Sequence, residues 1–399
     1  MAALPAPDEP LPLLGGLTPR QFMARHWQRR PLLVRQALPG VRPPVSRVEA
    51  FALSARDDVE SRLVRQQGDR WSLRRGPLPR RALPPVAQPG WTVLVQGLDL
   101  HVPAARDLLD RFRFIPEARL DDLMLSWASD GGGVGPHLDS YDVFLIQVAG
   151  RRRWRIGPAQ DRRFVPGLPL RILQHFEPTD TWVLEPGDML YLPPQWAHEG
   201  TAEGECMTAS VGFRAATAGE MAAELIGRIA DDLQDDLRDA PEALSATLTR
   251  RYGDRGTAAT DSPGALPTPL LDFARQAVAA VVAQPGALTL ALGEWLTEPK
   301  PQVWFDAPQG DLEPPWADGL ALARATRMLY GEGYLFINGE SMRAGGRDAA
   351  LMQQLADQRE LPPQALRRIS DAARDTLRQW WAQGWLVARD RQPAENNVR

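Results

Sequence analysis

The residues best suited to chemistry lie in two short stretches of the chain. The first, GGGVGPHLDSYDVF, contains His137 and Asp139 directly after a glycine-rich turn. The second, EPGDMLYLPPQWAHEG, contains His198 as its third residue from the end. Two histidines and one carboxylate are the ligand set that holds non-haem Fe(II) and leaves positions open for a co-substrate and oxygen. We therefore predict that His137, Asp139 and His198 bind Fe(II) and form the catalytic centre.

The spacing within each stretch supports this prediction. His137 and Asp139 are two residues apart, so on a strand both side chains would lie on one face. The turn Gly131–Gly135 would allow close approach of the backbone. The alternative is a core histidine beside a turn aspartate. His198 favours the metal site because it follows the strand-turn pattern PGDxxYxP. The remaining histidines, His26, His101 and His175, lack such a context and are expected to be structural.

Oxygen activation at such a site needs an electron source, and 2-oxoglutarate is the usual one. Its distal carboxylate requires a buried cation. Lys300 is the only lysine and is expected to lie far outside the predicted β barrel, so an arginine, whose fork suits a carboxylate, is expected to serve. Strand alternation would place Arg152 and Trp154 on one face. The opposite face would carry Arg151, Arg153 and Arg155. The alternative is that all these arginines are solvated charges.

Asp122 and Tyr141 are candidates for holding a substrate. Tyr141 is two residues from Asp139, so on a strand both side chains would lie on the same face. Asp122 precedes the strand that leads into the glycine turn. A carboxylate and an aromatic ring suit a cationic side chain through charge pairing and cation–π contact. The alternatives are a helix cap and a core tyrosine. Cys206 is expected to be a buried core residue without a role in the chemistry.

The elements that must position these residues are predicted to be mainly strands. From Leu123 to about Phe213, short apolar runs alternate with Gly and Pro turns, which is typical of a sandwich or barrel of the cupin-like double-stranded β-helix class. Capping boxes predict a helix over 20–29, stopped by Pro31, and another from Ser46 to about Ala55. Separate strands are predicted at 141–148 and 154–156.

The hydrophobic pattern changes after Arg214, where apolar residues recur at helical spacing. Helices are predicted at 221–233, 270–282 and 288–296. Asn338-Gly339 predicts a type I′ hairpin, followed by helices over 348–359 and 363–384. A hairpin with helices is compatible with a winged helix, and the alternative is a small α+β cap. Balanced charge in this region argues against a DNA-binding wing.

Composition bounds the remaining possibilities. A chain of 399 residues is expected to form two or three domains. A single cysteine argues against a disulfide framework and for a reducing compartment. We expect no signal peptide and no membrane span, and hence a cytoplasmic location. The net charge of −4 argues against wholesale binding of nucleic acid.

A family resemblance adds to this interpretation. The stretches RLDDLM, GGGVGPHLDSYDVF, GRRRWR, EPGDMLYLPP, HEG and SVGFRA, spread over about residues 59–215, resemble the bacterial JmjC-type ribosomal oxygenases. The resemblance implies a JmjC, cupin-like catalytic domain over 1–215, a helical dimerisation region over 216–300 and a winged-helix-like domain over 301–399. It also implies a homodimer.

The resemblance further implies roles for single residues. His137, Asp139 and His198 would bind Fe(II), and Arg152 would bind the C5 carboxylate of 2-oxoglutarate. Asp122 and Tyr141 would hold an arginine of large-subunit ribosomal protein L-sixteen, which would be hydroxylated at Cβ with O2 as the oxidant.

This sequence departs from the family pattern at two positions. Ala128 stands where relatives have a serine, so one hydrogen bond to 2-oxoglutarate is left to Ser126 or Ser129. Thr208 stands where relatives have asparagine.

Two other functions stay open at this point. One is the same chemistry on another protein target, by histidine hydroxylation or lysine demethylation. The other is a non-catalytic, cupin-like metal-binding scaffold whose C-terminal unit does the binding.

Overall fold

The computed structural model of the protein describes residues 4–308 and 313–389. The ends of the predicted domains at residues 1 and 399, and residues 309–312 within the third domain, lie outside the described range.

The first half of the chain is built on one ten-stranded antiparallel sheet with short helices beside it. The helices are α1 (Pro19–Arg25), α2 (Arg47–Ser54), α3 (Leu98–His101) and α4 (Pro103–Asp110). The strands are β1 (Leu32–Val34), β2 (Ser61–Gln67), β3 (Arg70–Arg75), β4 (Trp91–Val95), β5 (Leu120–Ala128), β6 (His137–Leu138), β7 (Asp142–Pro158), β8 (Asp180–Leu184), β9 (Met189–Leu192) and β10 (Trp196–Phe213).

The strand order is β1-β9-β7-β10-β5-β4-β2-β3, with β8 paired to β7 and β6 paired to β10. The two long strands β7 and β10 pair with each other along most of their length. The separation predicted between 141–148 and 154–156 is wrong, because β7 continues through both runs. Gly150 permits this with a φ of +61°, and a Cβ there would lie 2.1 Å from the Glu205 carbonyl oxygen.

Alternation along β7 divides the apolar side chains between two faces of the sheet. Phe144 and Ile146 belong to the main core, where Phe22, Tyr191 and Phe213 form an aromatic cluster. A smaller apolar cluster covers the opposite face and comprises Val143, Leu145, Trp154, Ile156, Leu184, Leu190 and Leu192. The candidate chemical residues described below lie on this second face.

Both predicted capping boxes are present. The Thr18 hydroxyl accepts from the Gln21 N–H at 3.1 Å, and the Ser46 hydroxyl accepts from the Glu49 N–H at 3.3 Å. The first helix nevertheless ends at Arg25, earlier than predicted. Gln28 adopts a φ of +55°, which no right-handed helix accommodates, and its N–H donates to the Tyr191 hydroxyl at 2.8 Å.

Helices occupy the middle of the chain: α5 (Ala218–Asp239), α6 (Ala246–Thr249), α7 (Thr268–Val282) and α8 (Ala287–Thr297). Leu225 and Ile229 of α5 pack on Ala291 of α8 in a small core. Within the described residues, no single helix is long and apolar enough to cross a membrane. The pair α7 and α8 has the length and composition, but its two helices meet at 58°.

The C-terminal part contains two three-stranded sheets and further helices. The strands are β11 (Leu320–Leu322), β12 (Met328–Gly331), β13 (Tyr334–Ile337), β14 (Glu340–Arg343), β15 (Glu360–Leu361) and β16 (Leu386–Ala388). The helices are α9 (Ala349–Gln358), α10 (Pro363–Leu366) and α11 (Asp371–Ala382). Strands β13 and β14 form the predicted hairpin, with positive φ at Asn338 and Gly339 as a type I′ turn requires.

The helix predicted over 363–384 is two helices. Its second part starts afresh because the Ser370 hydroxyl accepts from the Ala373 N–H at 3.1 Å and caps α11. This C-terminal part contacts the sheet through arginines. Arg327 donates to the Asp121 carbonyl at 2.6 Å, and Arg359 lies 3.6 Å from the Glu117 carboxylate.

Candidate active site

The structure brings His137, Asp139 and His198 together. Strand β6 pairs with β10 so that His137 lies directly opposite His198, and their ring centroids are 4.2 Å apart. The Asp139 carboxylate lies 3.9 Å from Nε2 of His137 and 3.5 Å from Nε2 of His198. One ligand atom from each side chain falls within 4.8 Å of the other two. Among the described residues, this is the one group of three or more His, Cys, Asp or Glu side chains that could hold a metal ion.

Backbone carbonyls set the orientation of both imidazoles. Nδ1 of His137 lies 2.9 Å from the Gly135 carbonyl oxygen, and Nδ1 of His198 lies 3.0 Å from that of Trp196. A carbonyl only accepts, so each Nδ1 carries a proton, and Nε2 is the ring nitrogen that faces Asp139. Burial, reinforced by the neighbouring His137, lowers the pKa of His198 to about 4. The imidazole is therefore neutral at pH 7, which is the state that binds a metal.

Two glycines allow the turn before His137 to lie against β10. A Cβ on Gly133 would come within 2.5 Å of the Gly200 carbonyl oxygen. A Cβ on Gly200 would come within 2.7 Å of the Trp154 ring. Side chains at either position would push the turn or the indole away from His198. The glycine-rich sequence is thus required by close approach.

Arg152 is the buried member of the arginine run. Its exposed fraction is 4%, whereas Arg151 and Arg153 are exposed and both pair with Glu203. The alternation predicted for this segment is therefore present. Arg152 has apolar neighbours on both sides, Leu184 on β8 and Ala202 on β10.

Among the described residues, the guanidinium of Arg152 has no anionic partner. Its Nε and Nη2 atoms are buried and find no hydrogen-bond partner in the described part of the chain. Trp154 lies between this group and the triad, since its ring is 5.8 Å from Arg152 Cζ and 5.9 Å from the His198 ring. A buried cation with unused donors, one aromatic ring away from a metal-binding triad, fits a small dicarboxylate that reaches both.

The serines near this cluster have hydroxyls that are already engaged. The Ser126 hydroxyl donates to the Thr208 carbonyl at 3.3 Å. The Ser129 hydroxyl accepts from the Trp91 N–H and donates to the Trp91 carbonyl, so it points away from Arg152 and the triad toward β4. Ala128 packs in a small buried cluster with Ala202 and Cys206, and Cys206 is the buried core residue that was expected. Ser126 remains the better placed of the two serines.

Asp122 and Tyr141 lie on either side of Gly212. On β10, Gly212 pairs with Val143 at the start of β7, and its neighbour Val211 pairs with Leu123 on β5. The Tyr141 ring lies 3.8 Å from the point where a Cβ on Gly212 would stand. A side chain at Gly212 would therefore contact the Tyr141 ring.

The electrostatics of this end of the site suit a cation. Asp122 is buried, and Tyr141 is 37% exposed. Desolvation, followed by the charges of Asp139 and Asp122, raises the pKa of the Tyr141 hydroxyl above its ordinary value. The hydroxyl therefore stays protonated.

Lys300 is the residue that sequence reasoning placed wrongly. It was expected far from the barrel, but its ammonium lies 2.8 Å from Asp122 and 3.3 Å from Asp121. Burial opposes its charge, yet these two carboxylates hold the pKa of Lys300 above its ordinary value. Asp122 also accepts from the Gly97 N–H at 3.1 Å and from the Gln96 amide. No sequence pattern links Lys300 to β5, because they lie 178 residues apart.

The other histidines lie outside the triad. Nδ1 of His26 lies 3.2 Å from the Pro31 carbonyl oxygen, and its ring stacks on Phe22. His101 ends helix α3. His175 is exposed.

Comparison with known proteins agrees with the fold. Residues 107–221 match a model described as a JmjC domain, and residues 280–387 match a ROXA-like winged helix. The chain is 42% identical over 202 residues to the ribosomal protein uL16 3-hydroxylase of Escherichia coli (strain K12). It is 38% identical over 218 residues to a probable ribosomal oxygenase of Haemophilus influenzae. These alignments cover 50% and 54% of this chain and 53% of each relative, so the chain matches about half the length of these curated relatives.

Solved structures are similar over a longer stretch. The X-ray structure of E. coli ycfD superposes with a TM-score of 0.82 at 28% identity, covering 93% of this chain and 98% of that chain. The E. coli ribosomal oxygenase YcfD in complex with cobalt and 2-oxoglutarate gives a TM-score of 0.78 at 29% identity, with the same coverage. The predicted fold class, a JmjC barrel followed by a helical region and a C-terminal winged helix, is confirmed.

Proposed function

We propose that this chain is an Fe(II)- and 2-oxoglutarate-dependent oxygenase that hydroxylates an arginine side chain of ribosomal protein L-sixteen at Cβ. The observation that carries the proposal is the pairing of a two-histidine, one-carboxylate triad with the buried guanidinium of Arg152, whose Nε and Nη2 donors have no partner among the described residues. The similarity to a ribosomal protein uL16 3-hydroxylase supports the substrate, and the likeness to an oxygenase bound to cobalt and 2-oxoglutarate supports the cofactors.

The residues present fit these groups. Fe(II) would be held by Nε2 of His137, Nε2 of His198 and the Asp139 carboxylate, and Arg152 would pair with the distal carboxylate of 2-oxoglutarate. When bound, Fe(II) and 2-oxoglutarate supply the activation of O2 and the oxidation of a C–H bond, with succinate and carbon dioxide as co-products.

The protein contributes orientation and exclusion of water. The Gly135 and Trp196 carbonyls fix the imidazole rings, so the triad is preorganised. Trp154 covers the space between Arg152 and His198 with an apolar surface. Ser126, buried beside Thr208, is the residue that would add a polar contact to the co-substrate.

The arginine substrate would be held at the Asp122 end of the site. A guanidinium carries only donors. The buried Asp122 carboxylate already accepts from Lys300, and its Oδ1 atom would also accept from the substrate guanidinium. The Tyr141 ring, which lies beside Gly212, would complete the contact. The position of the side chain between these two residues would then present its Cβ to the metal.

We also propose that a second copy of this chain covers the apolar surface of the middle helices. Large apolar side chains on α5, α7 and α8 are exposed, with Val278 at 67% and Ile226 at 59%. One open face of α7 carries Leu271, Ala274, Val278 and Val282. Light scattering should give a dimer for the full chain and a monomer for Val278→Asp. A wild-type monomer would contradict the proposal.

The proposed location is the cytoplasm.

Mass spectrometry tests the proposed reaction. An arginine-bearing peptide from ribosomal protein L-sixteen is incubated with the protein, Fe(II), 2-oxoglutarate and O2. We expect a gain of one oxygen on the arginine, absent in His137→Ala. Succinate formation without peptide oxidation would support the proposed oxygenase activity and indicate that the target is another protein. Absence of any 2-oxoglutarate conversion would favour a non-catalytic metal-binding scaffold.

A further inference from the structure

A strongly basic surface lies on the hairpin β2–β3 and the loop after it. Residues 62–81 contain seven arginines and one acidic residue, Asp69. The formal charge of this segment is +6 in a chain whose total is −4, so the remaining residues carry −10. We refer to its exposed arginines as the basic edge: Arg70, Arg74, Arg75, Arg80 and Arg81.

The arginines of the basic edge have no carboxylate partner among the residues that the structure describes. No ion pair in the described part of the chain involves any of them, although Arg151, Arg153 and Arg155 on β7 all pair with glutamates. Arg75 lies directly opposite Arg62 across the hairpin, without an acidic partner for either. Like charges in directly opposed positions destabilise a sheet. An external anion would relieve this repulsion.

The basic edge lies beside the proposed active site. Trp71 of β3 packs against the turn before His137, because its ring comes within 3.2 Å of the point where a Cβ on Gly135 would stand. At the other end of the hairpin, Arg62 donates to Gln96 at 2.9 Å, and Gln96 in turn donates to Asp122. Alternation along β3 places Arg75 on the face that carries Trp71, and Arg70 and Arg74 on the other face. A ligand bound at Arg75 would therefore lie near the substrate side chain, and a chain that wraps the edge would also contact Arg70 and Arg74.

The chemistry of the basic edge selects its partner. Arginine forks match phosphate geometry bidentately and are only weakly hydrated. Strand β3 is the last strand of its sheet, and a row of charges on such a strand opposes the addition of a peptide strand. A cationic protein segment would be repelled. A chain of phosphodiesters supplies regularly spaced negative charge and fits the edge without sequence-specific contacts.

We propose that the basic edge binds the phosphodiester backbone of RNA that accompanies the target arginine. The inference rests on the proposed function for the identity of the target, and it deepens that function. The substrate would be a ribosomal protein already associated with RNA. The total charge of the chain hides this feature, because the positive charge is confined to one hairpin and the loop that follows it.

Binding of a labelled single-stranded RNA of mixed sequence, about 20 nucleotides long, tests the proposal by fluorescence anisotropy. Five phosphate contacts predict a slope of roughly −3.5 in log K against log salt. Affinity should then fall about 100-fold between 50 and 200 mM salt. The variant Arg70→Ala/Arg74→Ala/Arg81→Ala should weaken binding and reduce the slope by about 2.

A charge-matched control separates this edge from net charge. The variant Arg238→Ala/Arg255→Ala/Arg275→Ala removes three exposed arginines from the middle region and should bind RNA like the wild type. The proposal is overturned if the wild type does not bind RNA, or if both variants weaken binding equally. It is also overturned if vesicles containing phosphatidylserine bind as tightly as RNA at the same salt concentration.

Hydroxylation of the free peptide distinguishes this inference from the proposed function. The basic-edge variant should hydroxylate the free peptide at the wild-type rate, because none of its three substituted residues belongs to the site. If the wild type oxidises the peptide but does not bind RNA, only the RNA inference fails. If the wild type does not oxidise the peptide, the proposed function fails whatever the RNA result. Unchanged melting temperatures would show that both variants are folded.

Discussion

Replacement of Arg152 by methionine should affect co-substrate affinity and protein stability in opposite directions. The Arg152 guanidinium is buried between Leu184 and Ala202, and two of its nitrogens lack partners among the described residues. Methionine keeps an unbranched apolar stem of similar reach and removes the charge. The variant therefore isolates the contribution of the guanidinium from that of packing.

The two effects can be estimated separately. A hydrogen bond to a charged group contributes about 1.5–3 kcal/mol, so losing a two-pronged contact with a carboxylate costs about 3–6 kcal/mol. The KM for 2-oxoglutarate should rise by roughly 10²- to 10⁴-fold. A buried polar group without a partner costs about 1–3 kcal/mol, and the ligand-free variant should be stabilised by that amount. The melting temperature should then rise by about 1–2 °C for each kcal/mol, because the entropy of unfolding grows with chain length.

Arg153→Met is the matched control for this experiment. Arg153 is the adjacent residue, is exposed, and pairs with Glu203 at the surface. Exposed pairs contribute little, so neither the KM nor the melting temperature should move far. Steady-state succinate production and thermal unfolding without 2-oxoglutarate provide the two measurements. Equal changes in KM for the two variants, or a lower melting temperature for Arg152→Met, would refute the assignment.

Three further predictions concern the metal, the substrate carboxylate and pH. His137→Ala should lose stoichiometric Fe(II) binding, measured by metal analysis, while its circular dichroism stays that of the wild type. Asp122→Asn should raise the KM for the arginine peptide at least tenfold and leave peptide-independent 2-oxoglutarate turnover intact; an unchanged peptide KM would exclude Asp122 from recognition. Burial, aided by the charge of Asp122, raises the pKa of Asp99 from 3.8 to about 6. The folded state therefore retains a proton that the unfolded chain loses. Stability should fall by about 3 kcal/mol between pH 4 and pH 6, and Asp99→Asn should flatten that part of the profile in denaturant titrations.

Local patterns in the sequence predicted the parts of the site that depend on strand geometry. The two-residue spacing of His137 and Asp139 and the pattern before His198 were enough to place three ligands together, because β6 and β10 are neighbours. Alternation was enough to single out Arg152, since burial on a strand follows parity. The capping boxes predicted two helix starts because their hydrogen bonds are local.

Contacts between distant parts of the chain could not be predicted in this way. The ion pair between Lys300 and Asp122 depends on how the segment after α8 returns to β5. No periodicity in the sequence predicts the course of that segment. The continuity of β7 depends on Gly150, whose positive φ accommodates the neighbouring backbone of β10. A glycine interrupts a strand pattern in sequence, whereas here it allows the strand to continue.

The contact between Lys300 and Asp122 allows the state of Asp122 to be followed by chemical labelling of Lys300. Lys300 is the single lysine in 399 residues, so amine-directed acylation of lysine side chains can modify one place only. That place is the partner of the carboxylate proposed to hold the substrate. The rate at which an acylating reagent labels this ammonium thus reads out the state of Asp122. In most proteins the labelling of one lysine is mixed with the labelling of many others, whereas here only Lys300 contributes.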